Sequence, residues 1–251
     1  MTTFWLGAHI EGWLATVDVP LFVSHRRLAR RVRLPVARGP WALDSGGFTE
    51  LSMFGAWQTT EVSYGAAVRR YQDEIGGLAW AAPMDWMCEP FMLAKTRLTV
   101  EDHQRLTVEN YLRLSETGLP FVPVLQGWTL DDYLRCVDLY ARAGIDLPAL
   151  ALVGIGSICR RQNTGQVGLI VSTIAGLGIS LHGFGVKVAG LSTYADSLAS
   201  ADSMAWSFRA RRSPALPGCT HKSCANCLRF ALAWREKVMR RISTQQLRLA
   251  V

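Results

Sequence analysis

Trp41-Ala42-Leu43-Asp44-Ser45-Gly46-Gly47-Phe48 sets an apolar run, a carboxylate, a Ser-Gly-Gly turn and an aromatic ring in immediate succession. An apolar run of this length, closed by turn residues, reads as a strand buried on both faces, and its last residue is delivered to the rim of a sheet. Gly46 and Gly47 allow backbone angles that other residues avoid and let a flat ligand approach the main chain. A purely structural turn uses the same glycines. The meaning of Asp44 therefore depends on what the rest of the chain brings to it.

The pattern recurs. The segments Thr3–Ala8, Pro20–Ser24, Leu78–Met84, Phe121–Leu125, Leu150–Gly156, Ile179–Gly185 and Ala199–Asp202 read as seven further apolar strands. Amphipathic helices separate several of them. Thr59 or Thr60 caps one that runs to Ile75 and is closed by Gly76-Gly77, Thr99 opens one through Leu114, and Thr129 caps one through Leu139. Further helical stretches lie around Val167 to Ala175 and from Leu228 to Val238. Eight strands alternating with helices predict an α/β fold, a (β/α)8 TIM barrel, with residues 1–251 as one domain. A doubly wound open sheet is the other arrangement, but no G-x-G-x-x-G follows the first strand. Asp44, Asp85, Gln126, Gly156, Gly183 and Asp202 all fall at strand C-termini, the rim on which barrels build active sites.

The charge balance is basic, net +7, and arginine carries it: Lys95, Lys187, Lys222 and Lys237 are the only lysines. The planar guanidinium fork grips phosphate in two places, so an arginine-dominated surface fits nucleic acid, although a GC-rich genome gives the same bias. The basic segment His25–Arg31 is either a solvated helix face or a phosphate contact. No apolar segment approaches 18 residues, so no membrane span is expected, and Met1–Trp5 lacks the features of a signal peptide. A cytoplasmic location is the expectation.

Cys88, Cys136 and Cys159 are scattered in apolar surroundings, whereas Cys219, Cys224 and Cys227 crowd around His221. Three thiolates and an imidazole are the ligand set of a closed tetrahedral zinc site, which staples rather than catalyses. The expectation is a structural Zn2+ in a subregion spanning 214–243, anchoring the segment with Arg209, Arg211 and Arg212 beside the barrel mouth.

Three rim aspartates can bind a divalent metal, serve as an acid/base group plus a nucleophile, or cap turns. Asp202 lies among the short side chains Ser200, Ala201 and Ser203, which leaves room for attack on an electrophilic carbon. Asp85 and Gln126 together offer acceptors and a donor suited to the edge of a planar heterocycle, with backbone contacts from Gly154 to Ser157.

At these residues the chain resembles the tRNA-guanine transglycosylase superfamily. Asp44-Ser45-Gly46-Gly47-Phe48 matches its Asp-Ser-Gly-Gly-aromatic motif, and Val124-Leu125-Gln126-Gly127 resembles its Val-Gln-Gly-Gly strand end. Val153-Gly154-Ile155-Gly156 is similar to its base-binding strand, and Leu181-His182-Gly183-Phe184-Gly185 to its Leu-Met-Gly-Val-Gly segment. Cys219-x-His221-x-x-Cys224 has the spacing of its metal motif, with Cys227 in place of a distal histidine. The chain is shorter than the tRNA enzymes, and Ser203-Met204-Ala205-Trp206 replaces their Cys-Val-x-Pro-Thr-Arg. Phe4–His9 and the stretch around Asp202 look more like the deazapurine DNA modification branch, which is associated with phages and genomic islands.

That resemblance implies exchange of guanine in DNA, rather than tRNA, for a 7-deazaguanine, with the 7-cyano form (preQ0) expected. It implies Asp202 as nucleophile and Asp44 as general acid/base. Asp85, Gln126, Ser45, Gly154 and Gly156 would read the base edge, while Phe48 and His182 would sandwich its faces against Gly46, Gly47 and Gly183. Arg209, Arg211 and Arg212 would hold phosphates, and extrusion of the base admits an accessory DNA-opening protein as a partner. The rival readings are a zinc-stapled DNA-binding module without chemistry and a barrel glycoside hydrolase using Asp44 and Asp202.

Overall fold

The computed structural model describes residues 2–159, 161 and 165–249. Eight strands form one parallel sheet: β1 (Thr3–Ala8), β2 (Leu21–Ser24), β3 (Trp41–Asp44), β4 (Leu78–Ala81), β5 (Val124–Leu125), β6 (Val153–Ile155), β7 (Leu181–Gly183) and β8 (Ser200–Ser203). Their order is β4-β3-β2-β1-β8-β7-β6-β5, so the first and last strands pair at its centre. The sheet is curled, and an isolated parallel bridge joins Ala81 of β4 to Phe121, three residues before β5. There the Ala81 N–H donates to Pro120 O at 2.9 Å and the Val122 N–H to Ala81 O at 3.1 Å.

Ten α-helices are present among the described residues. The first five are α1 (His25–Leu28), α2 (Gly47–Phe54), α3 (Glu61–Ile75), α4 (Pro90–Thr96) and α5 (Val100–Ser115). The others are α6 (Leu130–Arg142), α7 (Gly165–Gly176), α8 (Val188–Tyr194), α9 (Ala205–Ala210) and α10 (Leu228–Leu249). The threonine caps read from the sequence form three capping boxes, Thr60 with Ser63, Thr99 with Asp102 and Thr129 with Asp132. Each satisfies backbone N–H groups that a helix start leaves without partners. No helix among the described residues is long and apolar enough to cross a membrane.

Strands β2, β4, β5, β6 and β7 are shorter than the apolar runs that announced them, whereas β1 coincides with its run. Pro83 lacks an N–H and lies just beyond the end of β4, and Pro123 removes the donor that would extend β5 back to Phe121. Helices α2, α4, α8 and α9 follow rim turns and have no more than eight residues, too short to show a helical period in the sequence.

Side chains alternate between the faces of the sheet. Phe4, Leu6, Leu21, Val23, Trp41 and Leu43 pack outward against the helices in the main core. Trp5, Phe22, Ala42, Trp80, Ala82 and Val122 form a separate cluster on the inner face, joined by Phe184. By the same two-residue period, Asp44 follows Ala42 on the inner face and Asp202 follows Ser200. The fold thus sets its rim acids above a floor of aromatic rings. Replacing the exposed cap Thr99 by Ala should lower the urea midpoint by the equivalent of about 1 kcal/mol at unchanged m value; an unaltered midpoint would mean that its capping box contributes nothing.

Candidate active site

A cavity of about 650 Å³ opens above this floor, where the strands end. Of the residues expected from the sequence, Asp44, Phe48, Asp85, Gln126, Gly156 and Asp202 line it. Phe22 and Phe184 provide its apolar floor.

Asp44 ends β3, and its Oδ1 accepts the Gly46 N–H at 3.1 Å. Gly46 can turn back in this way because it is left-handed, with φ 82°. Burial raises the Asp44 pKa above the ordinary carboxylate value; the Gly46 N–H and the Ser24 hydroxyl oppose the rise, and the charge of Asp202 adds to it.

Asp85 is buried more deeply. Its Oδ2 accepts from Gln126 Nε2 at 2.6 Å, and Ser45 Oγ lies 3.5 Å from Oδ1. Burial pushes its pKa up to about 7; the Gln126 bond works against the shift, and the charges of Asp44 and Glu89 reinforce it. The network continues inward, with Ser157 Oγ 2.7 Å from Gln126 Oε1 and 2.9 Å from Glu89 Oε2. A hydroxyl has one proton, so Ser157 donates to one of these oxygens at a time while accepting the Cys88 N–H at 2.7 Å. Ser157 holds a left-handed backbone, φ 56°, unusual for a residue other than glycine and typical of functional sites. Gly156 is required by close approach, because a Cβ there would lie 2.3 Å from Gln126 Nε2.

Asp202 is buried on β8, and its Oδ1 accepts the Gly185 N–H at 2.8 Å. His182 Nε2 stands 3.4 Å from the same oxygen, while Nδ1 lies 2.8 Å from Ser200 Oγ. Burial lowers the His182 pKa against the pull of Asp202, so the imidazole is neutral near pH 7. Its one N–H belongs on Nε2, which turns a positive edge toward Asp202 and leaves Nδ1 to accept from Ser200.

Several expected contacts fall elsewhere. His182 has no exposed surface and is boxed in by Phe22, Trp80 and Phe184, with the Trp80 and Phe184 rings 4.5 and 4.8 Å from its own. It contacts Asp202 and does not line the cavity, whereas Phe184, two residues along the same face, does. Ser45, Gly46, Gly47, Gly154 and Gly183 also lie outside the wall. A Cβ at Gly46 would meet Arg26 at 2.7 Å, one at Gly47 would meet Trp57 at 2.6 Å, and one at Gly154 would meet Phe184 at 2.5 Å. At each of these glycines a protein side chain occupies the space that a Cβ would need. Gly183 faces Val186 and Leu198. At Gly156 the N–H is bonded to Leu125 O at 3.0 Å, and the carbonyl accepts Tyr133 Oη at 2.7 Å.

Glu89 and Met204 also line the wall and escaped the sequence reading, while Arg26 and Arg27, from the basic segment read as a solvated face or a phosphate contact, and Ser157, from the stretch read as backbone contacts, line it too. Arg26 and Arg27 sit in the basic segment that follows β2, and their position at a strand end was the available signal. Glu89 precedes Pro90 at the start of α4. Arg209, Arg211 and Arg212 are exposed on and just after α9, outside the cavity wall.

Cys219, His221, Cys224 and Cys227 form a separate group whose ligand atoms all lie within 4.8 Å of one another, able to hold a metal ion. Cys219 Sγ and Cys224 Sγ are 3.9 Å apart. The edge of a tetrahedron with metal–sulfur bonds of about 2.3 Å is about 3.8 Å, so the donors fit zinc. The thiols are shifted in opposite directions as they share hydrogen bonds: against burial, Cys227 is held below its ordinary pKa by N–H groups of Phe230 and Arg229, while burial and the neighbouring thiols raise Cys219.

A protein-family model described as DpdA, DeoxyPurine in DNA protein A, matches residues 1–249. The chain belongs to the DpdA family. Membership supports a DNA-modifying, transglycosylase-type role. No curated protein matches the chain.

Asp85 gives this DpdA-family site a pH signature. The folded protein keeps Asp85 protonated up to about pH 7, whereas the unfolded chain ionises it near pH 4. Stability attributable to Asp85 is therefore complete below about pH 4 and declines as pH rises toward 7, by on the order of a few kcal/mol. Asp85→Asn should flatten the fall of Tm between pH 4 and 8; an identical fall in both proteins would contradict this account of Asp85.

Proposed function

We propose that the cavity is the active centre of a base-exchange transglycosylase that replaces guanine in DNA with a 7-deazaguanine, preQ0 being the expected incoming base. The observation that carries this reading is the placing of Asp44 and Asp202 in one wall with the Asp85–Gln126 pair, inside a family of DNA-modifying proteins. In the same reading the curled sheet is a closed (β/α)8 barrel, supported by the Ala81–Phe121 bridge.

The target nucleoside leaves the base stack, since its C1′ is out of reach inside a duplex. The Asp202 carboxylate, oriented by the Gly185 N–H and His182, attacks C1′. The C1′–N9 electron pair departs with guanine, which takes a proton from Asp44; the raised pKa of Asp44 keeps the acid form available. The deazaguanine then loses its N9 proton to Asp44 and attacks C1′, releasing Asp202. Two displacements return the original configuration. Asp85 meets the base edge through its carboxyl group, and the Gln126 amide fixes its orientation. Cys219, His221, Cys224 and Cys227 would hold zinc, whose four protein ligands leave no open position, so it would anchor the chain and take no part in the chemistry.

The test is release of labelled guanine from DNA and from tRNA in the presence of preQ0. DNA should release label, Asp202→Asn should abolish release, and Asp44→Asn should slow it by about 10²- to 10⁴-fold. Exchange that survives Asp202→Asn would sink the mechanism, and release from tRNA alone would reassign the polymer.

A further inference from the structure

Helix α9 begins two residues after β8, the strand that carries Asp202, and its two faces are unlike. The inner face is fixed at both ends. Trp206 is fully buried, donates Nε1–H to Gly7 O at 2.8 Å and stacks on His9 with centroids 5.4 Å apart. Ser207 Oγ donates to Ala225 O at 2.9 Å and Ser223 Oγ to Ala210 O at 3.4 Å, which tie the helix to the segment bearing the metal-ligand group. Phe208 is exposed on the outer face of the helix, with Met204 at its N-cap and Arg212 just past its C-cap, Arg211.

Met204 lines the cavity and is 42% exposed, and Phe208 is 60% exposed. The Arg212 guanidinium lies 3.5 Å from the centroid of the Phe208 ring. Arg209 and Arg211 are exposed as well. None of these three guanidinium groups pairs with a carboxylate among the described residues. A single exposed apolar side chain is ordinary on a protein surface. Here an aromatic ring on a rigid mount, capped by a guanidinium plane and flanked by unneutralised positive charge, lies on the helix whose N-cap, Met204, lines the cavity. Aromatic and guanidinium planes backed by positive charge are what unstacked nucleobases and their phosphates bind.

We propose that Met204, Phe208 and Arg212 form a stacking platform for an unpaired base adjacent to the one in the cavity. This rests on the reading of the substrate as a polynucleotide. In this arrangement Arg212 is part of the stacking surface through its plane over Phe208, and Arg209 and Arg211 are left to meet the phosphates.

The experiment measures binding of a single-stranded oligonucleotide with 2-aminopurine beside the target guanine, using the metal-loaded full chain and no deazaguanine. Binding should quench the fluorophore. Phe208→Ala should abolish the quench and weaken binding about ten-fold at unchanged salt dependence, and Phe208→Trp should restore both. Arg209→Ala should instead lessen the salt dependence while keeping the quench. Phe208 is exposed, so an unchanged Tm will confirm that the variant is folded. Binding and quench unaffected by Phe208→Ala would overturn the platform, as would a change in oligomeric state with oligonucleotide binding intact, which would assign the patch to a protein partner. Failure of the wild-type chain to bind any oligonucleotide would remove the polynucleotide reading itself and the platform with it.

Discussion

Four carboxylates, Asp44, Asp85, Glu89 and Asp202, share the wall of one cavity, and withdrawing them from water is the constraint on which the rest of the structure depends. An ionised acid without a partner in such a place is costly, so each must be given a donor or remain protonated. Asp44 and Asp202 receive backbone N–H groups, from Gly46 and Gly185, and both glycines are left-handed. Asp85 receives the Gln126 amide, which needs the bare backbone of Gly156 beside it. Glu89 receives the Ser157 hydroxyl. Gly46, Gly156 and Gly185 are thus consequences of the acids, and the raised pKa values of Asp44 and Asp85 are what remains of the desolvation cost after these bonds have formed.

Much of this architecture could be read from the chain. Two-sided burial made the parallel strands near-continuous apolar runs, and threonines three residues ahead of Ser63, Asp102 and Asp132 marked the helix starts. The acids at strand ends were legible for the same reason, since a polar residue closing an apolar run has to emerge at the rim. Depth was not legible. The two-residue period says that His182 and Phe184 share a face but does not say which lies level with the cavity floor, and this depends on how far each strand extends. The glycine pairs were ambiguous in a similar way: a missing Cβ signals a close approach without saying whether a ligand or Arg26 and Trp57 make it. Glu89 and Ser157 are joined only by tertiary contact, 68 residues apart, and no local pattern announces that.

The metal-ligand group lies outside the cavity and still bears on it. Its segment holds one end of α9, Gly7 and His9 hold the other through Trp206, and Asp202 lies just ahead of the helix. One short helix therefore joins the rim nucleophile candidate, an aromatic–guanidinium surface and a structural anchor, so disturbance of the cysteines would be felt at the cavity mouth rather than in the chemistry directly.

The central claim is that Asp202 becomes bonded to the sugar, and intact-protein mass spectrometry tests it most directly. Acid-quenched mixtures of the protein with guanine-containing DNA and no incoming base should contain a protein–DNA adduct that peptide mapping places on Asp202. An adduct mapped to Asp44, or release of guanine without any covalent species, would contradict the account.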